Sequence, residues 1–348
     1  MTQPIRDSFR TQADACATLG SALTARILRL LATALPAGNP VADRVLNWQG
    51  DPTSRGDALA LRLAAGLHAL VLQGQSPALQ SFYAAPDQLD DAQATKVLLG
   101  ALGQNTTLLM RWLDSPPQTN EVRRSCVLIA TGHWLAARFG LPMALSELGA
   151  SAGLNLNWDR YCLRIKGETF GDANSPAQLS PEWTGPLPPQ TPPVIVERRA
   201  VDLNPLDAIA DALPIRSYIW ADQPHRMALT QDALDLARLT GVRVERGDAV
   251  DWLETRLAVP MPGRLHLVYH TVAWQYFPPA IQAKGEALLQ ATGARATPHA
   301  PLAYLAMEAD AQTRGAGLVL RLWPGNLHIA LGRVDFHGRW VDWQAPSP

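Results

Sequence analysis

Several kinds of chemistry lack their raw material in this chain of 348 residues. Its three cysteines, Cys16, Cys126 and Cys162, are odd in number and share no metal-ligand spacing, so neither a disulfide framework nor a cysteine-held metal is expected. No His-x-x-x-His pair with a glutamate occurs, and no bound metal is expected. Lysine and arginine form no run and the net charge is only −1, which disfavours nucleic acid binding through a broad basic surface. The most apolar helical stretch, residues 59–72, is interrupted by Arg62 and His68 and is too short for a membrane. Tandem repeats are absent and a serine hydrolase is not expected. No secretory leader precedes the first helix, so reduced thiols in the cytoplasm are the simplest expectation.

What the chain has is enough apolar material, 47% of its residues, to bury a large core and build two domains. Residues 5–35, 56–74 and 92–113 carry apolar side chains at helical spacing, punctuated by Pro36-Ala37-Gly38, Gly74 to Pro77 and Pro116-Pro117. The expected architecture is α/β: a helical domain over residues 1–117, then a Rossmann-like, mostly parallel sheet over 118–348 ending in an antiparallel hairpin.

The second part carries a repeated unit in which an apolar strand ends in an acid and a helix follows. The first runs Leu-Ser-Glu-Leu-Gly-Ala-Ser-Ala-Gly over residues 145–153. Glu147 ends the strand, Gly149 and Gly153 admit close backbone approach, and the amides of a following helix would offer donors. Ser151 stands where a three-glycine dinucleotide turn has its middle glycine. Later strands deliver Asp202, with Pro205 in the first turn of a helix, and Asp248. In an open parallel sheet such strand ends line one crevice. Asp202 is suited to ribose hydroxyls and Asp248 to an adenine amino group; each is equally readable as a helix cap or turn former.

A fourth strand opens into His270, Thr271, Trp274, Gln275 and Tyr276. His270 is either a proton acceptor for a substrate nucleophile or a structural hydrogen-bonding group, with Gln275 beside it and Trp274 and Tyr276 walling a pocket. Asn120 is placed to cap a helix running to about Phe139; alternatively Gln118, Asn120, Glu121 and Arg123 contact substrate. Between Gly153 and Asp202 the chain is far longer than the roughly 20 residues of a compact unit, and an inserted hairpin and proline-rich loop at about 159–193 accounts for the excess. Residues 217–222 read as an additional strand whose Asp222 competes with Asp248 for the crevice.

This order of signals over residues 142–343 resembles the class I S-adenosylmethionine-dependent methyltransferases. The resemblance implies that Glu147, Gly149, Ser151 and Gly153 border the methionine part of S-adenosylmethionine, Asp202 its ribose and Asp248 its adenine. The whole chain looks more closely like an uncharacterised bacterial family, domain of unknown function 2332. That likeness rests on Phe9 to Ala13, Gln118 to Ser125, Glu147 to Leu156 with Asp159-Arg160-Tyr161, Val201 to Pro205, Trp220 to Arg226, and His337-Gly338. Methyl transfer to a small molecule, or ligand binding without catalysis on the same fold, are the two functions these residues suggest.

Overall fold

The computed structural model describes residues 2–118, 120–312 and 314–348. Its first part is helical: α1 (Thr2–Thr18), α2 (Ala22–Ala34), α3 (Pro40–Leu46), α4 (Leu59–Leu72), α5 (Pro77–Ala84), α6 (Asp91–Gln104) and α7 (Thr106–Asp114). Two of the three expected helical stretches are broken in the middle. Gly20 turns the chain at φ +88°, and Ser21 starts α2 by accepting from the Thr24 amide; Asn105 separates α6 from α7. Phe9, Leu28, Leu31, Leu59, Leu63 and Phe82 are fully buried, each adding about 1.5–3 kcal/mol of burial free energy. The two polar interruptions of α4 are satisfied internally. Arg62 donates to the Asp57 and Leu113 carbonyls at 2.6 and 3.0 Å.

The rest of the chain builds α8 (Ser125–Phe139) and a nine-stranded sheet. Its strands are β1 (Met143–Leu148), β5 (Glu182–Thr184), β6 (Ile195–Asp202), β7 (Glu245–Arg246), β8 (Leu265–Thr271), β9 (Leu302–Glu308), β10 (Ala316–Trp323), β11 (Leu327–Val334) and β12 (Trp340–Trp343). A small second sheet holds β2 (Cys162–Ile165), β3 (Glu168–Gly171) and β4 (Gln178–Leu179). The remaining helices are α9 (Ala212–Ser217), α10 (Pro224–Thr240), α11 (Ala249–Leu257) and α12 (Pro279–Gly293).

The large sheet has the order β5-β12-β11-β10-β9-β8-β1-β6-β7. From β7 to β9 every neighbouring pair is parallel, and all six residues of β1 are buried, as a strand covered on both faces requires. Strand order reverses between β1 and β8, the place where open α/β sheets form a ligand crevice at the strands' carboxyl ends. β10 and β11 form the expected terminal antiparallel hairpin. β2 and β3 make the expected inserted hairpin, and the proline-rich stretch adds β5, which pairs with β12 at the sheet's far edge.

Met1–Thr119 together with Asp211–Ala228 form one compact unit, and Asn120–Ala210 with Leu229–Pro348 the other. The expected strand over 217–222 does not form: its start is the end of helix α9, and the segment belongs to the helical unit. There Trp112 Nε1 donates to Ser217 Oγ at 3.0 Å. Asp222, a candidate for the crevice, instead accepts from Ser21 Oγ (2.6 Å) and the Leu23 amide (2.9 Å) at the start of α2. Among the described residues no helix is long and apolar enough to cross a membrane.

Candidate functional site

β1 carries Glu147 inward at 2% exposure. Burial pushes its carboxyl up to about 8, opposed by the Tyr269 hydroxyl, which donates at 3.4 Å, and by the charge of Arg124. Burial therefore favours the neutral form of Glu147. After it the chain turns sharply: Gly149, Ser151 and Gly153 all have positive φ, +67°, +54° and +69°. Gly149 and Ala150 donate their amides to the Val201 carbonyl at 2.9 and 3.2 Å, which lays the turn over the end of β6. Asp202 then holds it there, accepting from the Ser151 amide at 2.8 Å through one oxygen and from the Asn204 amide at 2.8 Å through the other.

Ser151 departs from what its neighbours would dictate. A non-glycine residue in the left-handed region is strained by about 1–3 kcal/mol and points to function when it occurs at a crevice. Its Oγ is buried without a hydrogen-bond partner. Residues 149–153 also have the Gly-x-Ser-x-Gly spacing between a strand and a helical turn, so the outline of a nucleophile elbow is present where the sequence reading expected no hydrolase motif. The chemistry of one is incomplete, because no base reaches the hydroxyl among the described residues.

The helix expected near Gly153 is a short 3-10 turn, Leu154–Arg160. Its first amide is not an open donor: Leu154 N donates to Asn120 Oδ1 at 2.9 Å. Asn120 thus caps this turn rather than its own helix, which begins only at Ser125. Asn155 Nδ2 donates to the Glu121 carbonyl at 3.2 Å, and Ser125 Oγ to Asn155 Oδ1 at 2.9 Å. Two residues on, Asn157 is fully buried with both amide atoms unpartnered. Such groups are costly in an empty interior and mark a place for water or a polar ligand.

At the end of β8 a second polar centre forms. His270 is 1% exposed; its Nδ1 lies 2.6 Å from Glu308 Oε1 and its Nε2 2.6 Å from the Tyr304 hydroxyl. With a carboxylate accepting at Nδ1, the Tyr304 proton occupies Nε2, so neither nitrogen is left to take a proton from a substrate. This is the structural alternative for His270. Glu308 also accepts the amides of Ala273 (2.8 Å), Trp274 (3.0 Å) and Gln275 (3.4 Å). Burial would raise the Glu308 carboxyl, but His270 and these amides outweigh it and hold Glu308 below its ordinary value. Trp274 stacks on the imidazole at 5.3 Å.

The turns after β1 and β8 meet. A Cβ on Gly149 would stand 2.6 Å from the Ala273 Cβ, and one on Gly153 2.9 Å from a Val244 methyl, so both glycines serve packing here. Arg124 Nη1 donates to the Thr271 carbonyl at 2.9 Å. The structure therefore gathers Glu147, Gly149, Ser151, Gly153, Asp202, Asn120 and Glu121 around one turn, with His270 and Trp274 at the neighbouring strand end. Arg123 pairs with Glu121 at 3.3 Å. Asp248 caps α11 through Oδ1, Gln275 is exposed, and Tyr276 is 59% exposed. Gln118 belongs to the helical unit.

Tyr269, Tyr304, Glu308, Arg124 and Asn157 are participants that sequence reasoning passed over. Glu308 repeats the strand-then-acid pattern that marked Glu147, and Asn157 lies in the same Leu-Asn-Leu-Asn run. No curated protein and no solved structure matches the chain. One family model does, over residues 6–343. The chain therefore belongs to the family described as uncharacterized protein conserved in bacteria, domain of unknown function 2332.

Proposed function

We propose that the sheet unit binds S-adenosylmethionine at the carboxyl ends of β1, β6 and β8 and passes its methyl group to a small-molecule acceptor. The observation that carries this reading is Ser151, strained and with its hydroxyl buried and unpartnered, at the reversal of strand order. The donor set suits the group. Each Asp202 oxygen accepts one amide and keeps capacity for a ribose hydroxyl. Asp248 uses only Oδ1 in its cap and leaves Oδ2 for an adenine amino group. Glu147 and the Ser151 hydroxyl would border the methionine part.

When bound, the cofactor supplies an electrophilic methyl group. The chain's own residues orient the two reactants. Gln275, whose Oε1 accepts the Ala309 amide at 3.3 Å, keeps its side-chain NH2 available to an acceptor. His270 positions the 272–276 turn through Glu308.

The second reading is ligand binding without catalysis, and the engagement of both His270 nitrogens favours it. Calorimetric titration with S-adenosylmethionine, S-adenosylhomocysteine and nicotinamide dinucleotides tests both. Saturable binding of the first two and not the last is expected; binding of none, or of the dinucleotides alone, overturns the assignment. Formation of S-adenosylhomocysteine from added S-adenosylmethionine, followed by mass spectrometry with small-molecule extracts, then separates enzyme from binder.

A further inference from the structure

Among the described residues Val272 alone combines a β-branched side chain with a left-handed backbone, at φ +56°. A branched side chain crowds its own backbone in that region, and such a residue stays there only where its surroundings hold it. Val272 directly follows the last residue of β8, and its near side is fixed to the sheet. Arg124 Nη1 donates to the Thr271 carbonyl at 2.9 Å, and the Val272 amide donates to the Met307 carbonyl at 2.8 Å. Beyond it the chain forms a small stiff piece, because Gln282 Nε2 donates to both the Trp274 and the Phe277 carbonyl, at 2.9 and 3.1 Å.

What ties this piece to the end of β9 is one carboxylate. The successive amides of Ala273, Trp274 and Gln275 all converge on Glu308. Glu308 is aimed by His270, and His270 is seated on Tyr304. Trp274 folds back over the imidazole, its plane within 19° of the ring it covers, so the turn lies on the residue that orients its own tie. Val272 is half-buried and Gln275 and Tyr276 are exposed, which leaves Ala273 and Trp274 to supply most of the burial. Left-handed strain at Val272 thus works against the amide bonds to Glu308.

We propose that residues 272–277 are a strap latched over His270 by Glu308 and poised to open about Val272. Closed, the strap covers the carboxyl end of β8. Open, Val272 relaxes to an ordinary backbone conformation, Trp274 leaves the imidazole, and the end of β8 becomes accessible from the crevice. Hydrogen bonds to a charged acceptor are strong enough to outweigh the strain of one residue, which makes the open form a minor state of about 0.1–10%. The strap acts whatever ligand the crevice takes, and its test needs none.

The test reads Trp274 in the full-length protein labelled with 5-fluorotryptophan, Trp274→Phe assigning its 19F resonance among the eleven tryptophans. This resonance is expected to exchange with a minor state on the microsecond-to-millisecond scale. Val272→Gly, for which a left-handed backbone is nearly free of strain, should lower the minor population roughly tenfold. Val272→Ala removes the branch but keeps a left-handed penalty, and should lower it far less. Glu308→Gln should raise the minor population roughly tenfold, and adding Val272→Gly should return that protein toward the closed resonance, a rescue that a merely structural carboxylate would not allow. Where Glu308→Gln does not fold, the comparison of Val272→Gly with Val272→Ala decides. A Trp274 resonance without exchange in the unaltered protein, equal effects of Val272→Gly and Val272→Ala, or no rescue in the double variant overturns the proposal.

Discussion

Gly149 and Ala273 touch across the ends of β1 and β8, where a Cβ on the glycine would come within 2.6 Å of the alanine Cβ. The glycine also holds φ +67°. Gly149→Ala therefore combines overlap with a left-handed penalty of about 1–2 kcal/mol, and a total loss of roughly 2–4 kcal/mol is expected in denaturant unfolding. Adding Ala273→Gly removes the overlap while leaving the φ penalty. A double variant no more stable than Gly149→Ala alone would show that the two turns do not press on each other.

Glu147 and His266 leave a signature in the pH dependence of stability. A carboxyl raised from 4.5 to about 8 on folding contributes stability fully below its unfolded value, lost as pH rises toward 8. A histidine lowered from 6.5 to about 3 contributes above 6.5 and loses its share as pH falls. Between 4.5 and 6.5 the two slopes oppose each other, and His68 and His133, also lowered chiefly by burial, act on the histidine side. From 6.5 to 8 the Glu147 contribution continues to fall, and stability should decline by about 1.4 kcal/mol per pH unit from this group. Glu147→Gln should remove that decline; persistence of the slope in the glutamine variant would assign it to another group.

Ser151→Ala should have effects of opposite sign on the free and liganded protein. Deleting a buried hydroxyl that has no partner relieves a desolvation penalty of about 1 kcal/mol, so the free protein should melt slightly higher. Adenosyl-ligand affinity should fall. Asp202→Ala, by contrast, strands the Ser151 and Asn204 amides and should lower both stability and affinity, each by about 1.5–3 kcal/mol. A Ser151→Ala protein that melts lower and binds unchanged would return this residue to a purely structural role.

Glu308→Ala should cost roughly 2–4 kcal/mol, because it removes the acceptor of His270 and of three successive amides. Hydrogen exchange of those amides is the discriminating measurement. Protection of residues 273–275 that survives the substitution would mean that the turn is held by something other than the carboxylate.

The helical half and the parallel sheet were legible because both rest on local periodicity: apolar spacing in residues 5–113 and the recurrence of strand, acid and helix after residue 142. Glu147 and Asp202 could be picked out because each ends such a strand. The pairings that define the site were not legible, since Asn120 caps a turn that begins at Leu154 and His270 finds Tyr304 and Glu308 on the next strand. The Gly-x-Ser-x-Gly spacing is written plainly in residues 149–153, yet whether a base reaches Ser151 is decided by tertiary placement alone. Residues 217–222 read as strand on their apolar and aromatic content, but Trp112, His68 and Ser21 provide partners that settle them among helices.

The helical unit is completed by residues 211–228, so the order of synthesis imposes a wait. A chain emerging from the ribosome would present α1 to α7 long before the residue that accepts from Ser21 and Leu23 has been made. During that interval the surface of α4 that receives α9, and the start of α2 that receives Asp222, stand without their native cover. Contacts this distant in sequence slow folding, and the nascent chain leaves that patch uncovered until Asp222 has been made.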